Sequence, residues 1–182
     1  MKLVSTADYG IKGVNHYWVK RGFYQISEEE LNVAGVWDDK AYVDESLISY
    51  LKKANETLKP HGYEIVVKDA YRSPELYRLI QEKRYAKFGK EQTDRILNTV
   101  TMPHSNGRTI DASLIDIKTG NEVPMRNKTD DPDNFFIDYY RDRNDAEGRE
   151  YQRLQDLLVE TMLSLGFKLG SKNEFWHFEL PS

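Results

Sequence analysis

The sequence contains no cysteine. Because disulfides, thiolate nucleophiles and cysteine-ligated metals all need that residue, each of them is excluded for this chain. Any metal that the protein binds must therefore be held by histidine, aspartate or glutamate. Since only four histidines are present, the number of candidate metal sites is small.

The chain also lacks long apolar runs. No stretch approaches the roughly 20 apolar residues that a helix needs to cross a bilayer. Residues 1–13 lack both the basic start and the apolar segment of a secretory signal peptide. We therefore expect a cytoplasmic protein that does not bind membranes.

No block of charge of one sign interrupts the sequence. The 26 basic and 30 acidic residues are mixed along the chain and leave a net charge of −4, which predicts no basic surface for nucleic acid.

A chain of 182 residues buries enough apolar surface to fold as one unit. Because no repeat or Pro/Gly/Ser linker divides it, we expect one domain over residues 1–182.

Apolar residues recur with two different periods. Helical spacing, with capping and stop residues at the ends, predicts helices over residues 44–58, 73–89 and 146–165. Alternation and β-branched content predict strands over residues 63–68 and 109–118, and a closing hairpin from residues 167–169 and 175–180. Residues 128–144 are polar and indicate an irregular loop. Without a regular βαβ alternation, these elements predict an α+β fold with one mainly antiparallel sheet flanked by helices.

His104 and Asp111 form the first candidate site. His104 lies in a polar loop just before a predicted strand, and Asp111 is an isolated acid on that half-apolar strand. A buried carboxylate needs a partner, because burying it unpaired is costly. A metal is one such partner, and histidine with carboxylate suits Zn²⁺. The alternative is a surface histidine and a salt-bridged aspartate, which this pair taken alone favours.

A second candidate arrangement is the segment Glu174-Phe-Trp-His177. Because residues three apart on a regular strand point to opposite faces, we expect Glu174 at the bend that enters the strand. With His177 as a third ligand, the site would keep its fourth position for water, as catalytic zinc requires, and Glu174 would be the base. Arg72, at a strand-to-helix junction, is a candidate for stabilising the oxyanion. Its alternative role is a structural pair with Asp69 or a nearby glutamate.

Four segments, in this order, resemble the motifs of D-alanyl-D-alanine dipeptidases, zinc peptidases that share a fold with the hedgehog signalling domain. The segments are Asp69-Ala-Tyr-Arg72, His104-Ser-Asn-Gly-Arg-Thr-Ile-Asp111, Thr119-Gly-Asn-Glu-Val-Pro-Met125 and Glu174-Phe-Trp-His177. The resemblance runs over residues 44–180. It implies one Zn²⁺ per chain bound by His104, Asp111 and His177, Glu174 as general base and then acid, Arg72 as transition-state stabiliser, and Asp130 as a contact for the substrate ammonium. Asp131 and Asp133 are neighbours that could take this last role by a small shift of the loop.

Two positions depart from the family pattern. Met102 and Thr109 stand where the family usually has serine and alanine, which leaves the metal chemistry intact and the substrate preference open. His16 and His61 have no metal-ligand spacing and receive no role. The sequence also leaves the oligomeric state open.

The expected function is hydrolysis of D-Ala-D-Ala or a similar short D-amino-acid dipeptide in the cytoplasm. One alternative is a carboxypeptidase or endopeptidase of the same fold that acts on peptidoglycan stem peptides. The other is a zinc-dependent binding protein without catalysis.

Overall fold

The main element of the structure is a five-stranded sheet. In the computed structural model, which describes residues 1–129 and 133–181, the strands of this sheet lie in the order β2-β4-β5-β7-β6. They are β2 (Lys12–Gly13), β4 (Tyr63–Asp69), β5 (Thr109–Asp116), β6 (Lys168–Leu169) and β7 (His177–Glu179). Only β2 and β4 pair in parallel. A separate two-stranded antiparallel sheet joins β1 (Leu3–Ser5) to β3 (Tyr42–Asp44).

The helices lie between these strands along the chain. They are α1 (His16–Val19), α2 (Arg21–Tyr24), α3 (Glu28–Val33), α4 (Ile48–Leu58), α5 (Pro74–Phe88), α6 (Lys90–Ile96) and α7 (Ala146–Ser164). Short 3₁₀ turns occupy Thr6–Tyr9, Glu45–Leu47, Lys59–His61 and Pro103–Asn106. Local signals set the start of α5: the Ser73 hydroxyl accepts the Leu76 N–H at 3.0 Å, and Pro74 takes the first helical position.

The α+β class and the mainly antiparallel sheet are confirmed. The three predicted helices are present as α4, α5 and α7, and the closing hairpin is present as β6 and β7. The sequence did not predict α6 or the short elements before residue 44. Each helix of that N-terminal segment has four to six residues, which is too short for an apolar period to repeat.

Two hydrophobic clusters fill the interior. The larger cluster packs the five-stranded sheet against α4 and α7, and it includes Val67 of β4. The smaller cluster packs the N-terminal helices against α5, and it includes Leu76. The junction between β4 and α5, residues 70–73, therefore passes from one cluster to the other, so packed elements hold it at both ends.

Residues 128–129 and 133–144 contain turns and one isolated β-bridge, from Phe136 to Glu174. The prediction of an irregular loop is confirmed for these residues. Within the described parts of the chain, no helix is both long enough and apolar enough to span a bilayer.

Candidate metal centre and active site

Strand pairing brings three side chains into one row. Asp111 of β5 lies opposite His177 of β7, and a bulge after Val67 places Asp69 opposite Asp111 on the other side. Directly opposed residues of antiparallel strands project from the same face of a sheet. The register therefore gathers two carboxylates and one imidazole at one end of the sheet. Asp111 and His177 are brought together although they are 66 positions apart in the sequence.

His104 approaches this row from the turn Pro103–Asn106. Its Nδ1 lies 2.7 Å from the Ala70 carbonyl oxygen, which can only accept, so Nδ1 carries the proton. Nε2 then carries a lone pair and lies 3.5 Å from Asp111 Oδ1. This Nε2 is buried and has no hydrogen-bond partner among residues 1–129 and 133–181. Burial, helped by the charge of Arg72, lowers the pKa of His104, which keeps the ring neutral and suited to a metal.

Three hydrogen bonds join the His104 turn to the β4–α5 junction. Besides the bond from His104 to Ala70, the Ser105 hydroxyl donates to the Arg72 carbonyl at 2.8 Å, and the Arg72 N–H donates to the His104 carbonyl at 3.4 Å. The Thr109 hydroxyl donates to the Pro103 carbonyl at 2.9 Å. Thr109, one of the two departures from the family pattern, thus supports the turn that carries His104.

His177 lies between two carboxylates. Its Nδ1 is 2.9 Å from Asp111 Oδ1, and its Nε2 is 3.2 Å from Glu179 Oε1. Although burial opposes the imidazolium, the hydrogen bond and charge of Asp111 raise the pKa of His177. Burial likewise opposes the charge of Asp111, but His104 and His177 hold the pKa of Asp111 well below its usual range.

The spacing of these donor atoms fits a metal ion. One ligand atom from each of His104, Asp111 and His177 lies within 4.8 Å of the others. Tetrahedral zinc with bonds of about 2.0 to 2.1 Å separates neighbouring ligand atoms by roughly 3.3 Å, and the two measured separations from Asp111 Oδ1 are 2.9 and 3.5 Å. The unpartnered Nε2 of His104 also needs a cation or a donor. The cluster can therefore hold a metal.

Arg72 is held on all sides. Its Nε donates to Asp69 Oδ2 at 2.8 Å and its Nη2 donates to Asp111 Oδ2 at 3.2 Å. The rings of Tyr17 and Tyr77 each lie 5.3 Å from its guanidinium carbon. Burial opposes the charge, but Asp69 and these neighbours raise the pKa of Arg72 well above its usual value. The expected structural pair with Asp69 is present, and the same pair fixes the guanidinium beside Asp111.

Glu174 lies outside the regular strand. It forms the isolated bridge to Phe136, a turn follows at residues 175–176, and β7 begins at His177. The predicted bend between Glu174 and His177 is confirmed. Burial, together with the charge of Asp111, raises the pKa of Glu174 to about 6. A carboxyl group whose pKa approaches neutrality can both accept and return a proton near pH 7.

This raised pKa predicts a stability difference in the metal-free protein. A rise from 4.5 to about 6 corresponds to roughly 2 kcal/mol that opposes folding when Glu174 is ionised. The folded state binds the Glu174 proton more tightly, so the penalty is absent below pH 4.5 and complete above the folded pKa. We expect Glu174→Gln to be more stable than the natural chain by about 1 to 2 kcal/mol at pH 8 and equally stable at pH 4. Urea unfolding at both values measures this, and an equal gain at both would contradict it.

The other candidate residues fall in different places. Asp130 lies outside the described residues, and its neighbour Asp133 pairs with Arg95. His61 is exposed. His16 is half-buried, with Nε2 3.2 Å from the Tyr24 hydroxyl. Burial lowers the pKa of His16; the charge of Asp69 opposes this shift and the charge of Arg72 adds to it.

Sequence reasoning missed three contacts of the site. Tyr17 and Tyr77 flank Arg72, and Glu179 faces His177. Tyr17 comes from the distant helix α1, and Tyr77 lies within the apolar pattern of α5. Neither position carries a signal for a contact with Arg72. Glu179 does carry one, because residues two apart on a strand share a face.

The fold and the site together define a class of protein. An α+β fold that gathers His, Asp and His ligands beside a buried arginine, with a carboxyl group of raised pKa close by, has the parts of a metal-dependent peptidase. A sequence model of the D-ala-D-ala dipeptidase family matches residues 31–182. The chain belongs to this zinc peptidase family. No curated protein matches the sequence.

Solved structures give distant matches. The chain is similar to a mutant of the vancomycin-resistance D,D-pentapeptidase VanY in complex with Zn(II), at 17% identity and a TM-score of 0.49, covering 77% of this chain and 73% of that one. It is also similar to the LD-carboxypeptidase LdcB, at 17% identity and a TM-score of 0.48, covering 76% and 59%. VanYB in complex with D-alanine-D-alanine matches at 14% identity and a TM-score of 0.43, covering 78% and 73%.

Proposed function

We propose that the protein is a zinc-dependent dipeptidase that hydrolyses D-Ala-D-Ala or a similar short D-amino-acid dipeptide in the cytoplasm. One observation carries the proposal: ligand atoms of His104, Asp111 and His177 lie within 4.8 Å of one another in a chain that matches the dipeptidase family over residues 31–182. Imidazole nitrogen with carboxylate oxygen is a donor set that zinc prefers.

We assign His104 Nε2, an Asp111 carboxylate oxygen and His177 Nδ1 as the ligands of one Zn²⁺ per chain. When bound, this ion supplies Lewis acidity and makes water acidic enough to act as a nucleophile near neutral pH. The three protein ligands leave the remaining position for water and substrate. The hydrogen bond from His104 Nδ1 to Ala70 fixes the tautomer that this assignment needs.

Glu174 is assigned as the general base. It takes a proton from the attacking water and passes it to the leaving amine, so it serves as base and then as acid. In the metal-free protein, burial raises the pKa of Glu174 to about 6. The same burial favours the protonated state from which the group returns its proton to the amine.

Arg72 is assigned to the oxyanion that forms during attack. The described hydrogen bonds use its Nε and Nη2, which leaves the Nη1 donors for a substrate oxygen. Because Asp69 and two tyrosine rings already fix the guanidinium, little reorganisation is needed when charge develops.

Asp130 is assigned to the substrate ammonium, since it stands at the family spacing after Asp111. We expect Asp130→Asn to raise KM for the dipeptide about tenfold, because a salt bridge to the ammonium is replaced by a neutral hydrogen bond. Steady-state kinetics measures this, with Asp131→Asn as the neighbouring control. A KM raised equally by both variants would place the role elsewhere in the loop.

The deciding experiment measures peptide-bond hydrolysis by zinc-loaded protein as the appearance of new free amine. Three substrates are compared: D-Ala-D-Ala, L-Ala-L-Ala and a longer stem peptide that ends in D-Ala-D-Ala. Rapid cleavage of the D-dipeptide with the other two spared supports the dipeptidase. Cleavage of the longer peptide alone would make the protein a wall peptidase, and cleavage of none would favour a binding role.

A further inference from the structure

A carboxylate outside the proposed ligand set faces the outer nitrogen of His177. Glu179 Oε1 lies 3.2 Å from His177 Nε2, and the two residues are two positions apart on β7, so their side chains share a face of the sheet. His177 Nδ1, on the other side of the ring, faces Asp111. The imidazole plane is thus fixed by a contact at each nitrogen.

Because Gly170 has no side chain, the His177 ring can pack directly against its backbone. A Cβ built at Gly170 would lie 2.3 Å from His177 Cδ2, 2.9 Å from His177 Nε2 and 3.3 Å from Glu179 Oε1. Real Cβ atoms do not approach other atoms as closely as the first of these distances. The Gly170 N–H also donates to the His177 carbonyl at 3.3 Å, so the backbone cannot move away without losing a contact.

We propose that Glu179 and Gly170 position His177 so that its Nδ1 points at the metal. The inference rests on the proposed function, in which His177 is a ligand. A carboxylate that accepts the Nε2 proton holds the ring in the tautomer with a lone pair on Nδ1 and increases the basicity of that nitrogen. Glu179 is therefore a positioning residue, and Gly170 supplies the room for the arrangement.

The exposure of Glu179 makes the inference testable without unfolding the protein. Its side chain is 39% exposed, so truncating it leaves no buried cavity. A matched control is Glu150, which is also exposed and pairs with Arg153 on α7. Glu150→Ala and Glu179→Ala remove the same group and the same charge.

The first measurement is zinc affinity, by competition with a chromophoric chelator. We expect Glu179→Ala to weaken zinc binding about 10- to 100-fold. Glu179→Gln should stay within about threefold of the natural chain, because its amide oxygen still accepts the Nε2 proton. Glu150→Ala should bind as the natural chain does.

The second measurement identifies the ligating nitrogen by ¹⁵N NMR of histidine-labelled, zinc-loaded protein. We expect Nδ1 of His177 to bind zinc in the natural chain and in Glu179→Gln, and a mixture of Nδ1 and Nε2 ligation in Glu179→Ala. Gly170→Ala, checked for folding by circular dichroism, should lose zinc affinity at least as strongly as Glu179→Ala.

The outcomes separate this inference from the function on which it rests. If the natural chain binds zinc and cleaves the dipeptide while Glu179→Ala keeps full affinity and pure Nδ1 ligation, only the positioning role is overturned. If the natural chain binds no zinc, the positioning role and the proposed function are both contradicted.

Discussion

Replacing Glu174 by alanine is expected to lower kcat for D-Ala-D-Ala by roughly 10³-fold, the usual contribution of a general base. Glu174 is the one assigned group that moves a proton from water to the leaving amine, and it is not among the proposed ligands. Zinc affinity should therefore change little. Steady-state kinetics on protein loaded with one equivalent of zinc measures the effect.

The control for this prediction is the zinc content of the variant. Full zinc content with residual activity near the expected level separates loss of the base from loss of the metal. Activity within tenfold of the natural chain would show that another group takes the proton, and Glu174 would lose its role.

Replacing His104 by alanine is expected to weaken zinc binding strongly and to abolish hydrolysis. A zinc site with one protein ligand fewer loses affinity, and we expect at least about a 100-fold weakening. At a zinc concentration of 100 times Kd, binding stabilises the natural chain by about 2.7 kcal/mol. The variant should lose most of this gain, which thermal unfolding with and without zinc measures.

His61→Ala is the matched control, because His61 is exposed and has no assigned role. It should keep the zinc-dependent stabilisation and the activity. His104 is the preferred target over Asp111, since Asp111 also contacts Arg72 and His177, and its removal would disturb the site for a second reason. Zinc binding by His104→Ala at natural affinity would exclude the proposed ligand set.

The parts of the fold that the sequence predicts are those where a pattern repeats. Helix α7 spans 19 residues and shows its apolar stripe several times, and Pro74 and Gly89 mark the ends of α5. The N-terminal elements are fixed by long-range contacts instead. The two residues of β2, for example, form a strand because they pair with β4, which no local pattern can indicate.

The same distinction applies to the site. His104, Glu174 and His177 are visible in the sequence because each is a polar residue where a loop meets an apolar strand. Asp111 is visible because it is an isolated acid within such a strand. The environment of Arg72 is not visible, since it combines Tyr17 from α1 and Tyr77 from α5 with Asp69. The tautomer of His104 depends on a backbone carbonyl, from Ala70, 34 positions away, and side-chain patterns do not report such contacts.

Different backbone contacts fix the positions of the proposed base and of two of the proposed ligands. Strand pairing between β5 and β7 fixes Asp111 and His177, whereas Glu174 is bridged to Phe136. Backbone bonds from Phe175 to Phe135 and from Ile137 to Asn173 support that bridge. We therefore expect changes in the loop to shift the proposed base while the strand pairing that places two of the proposed ligands is kept. If the proposed roles hold, metal affinity and reaction rate would be two traits that selection can adjust separately in this scaffold.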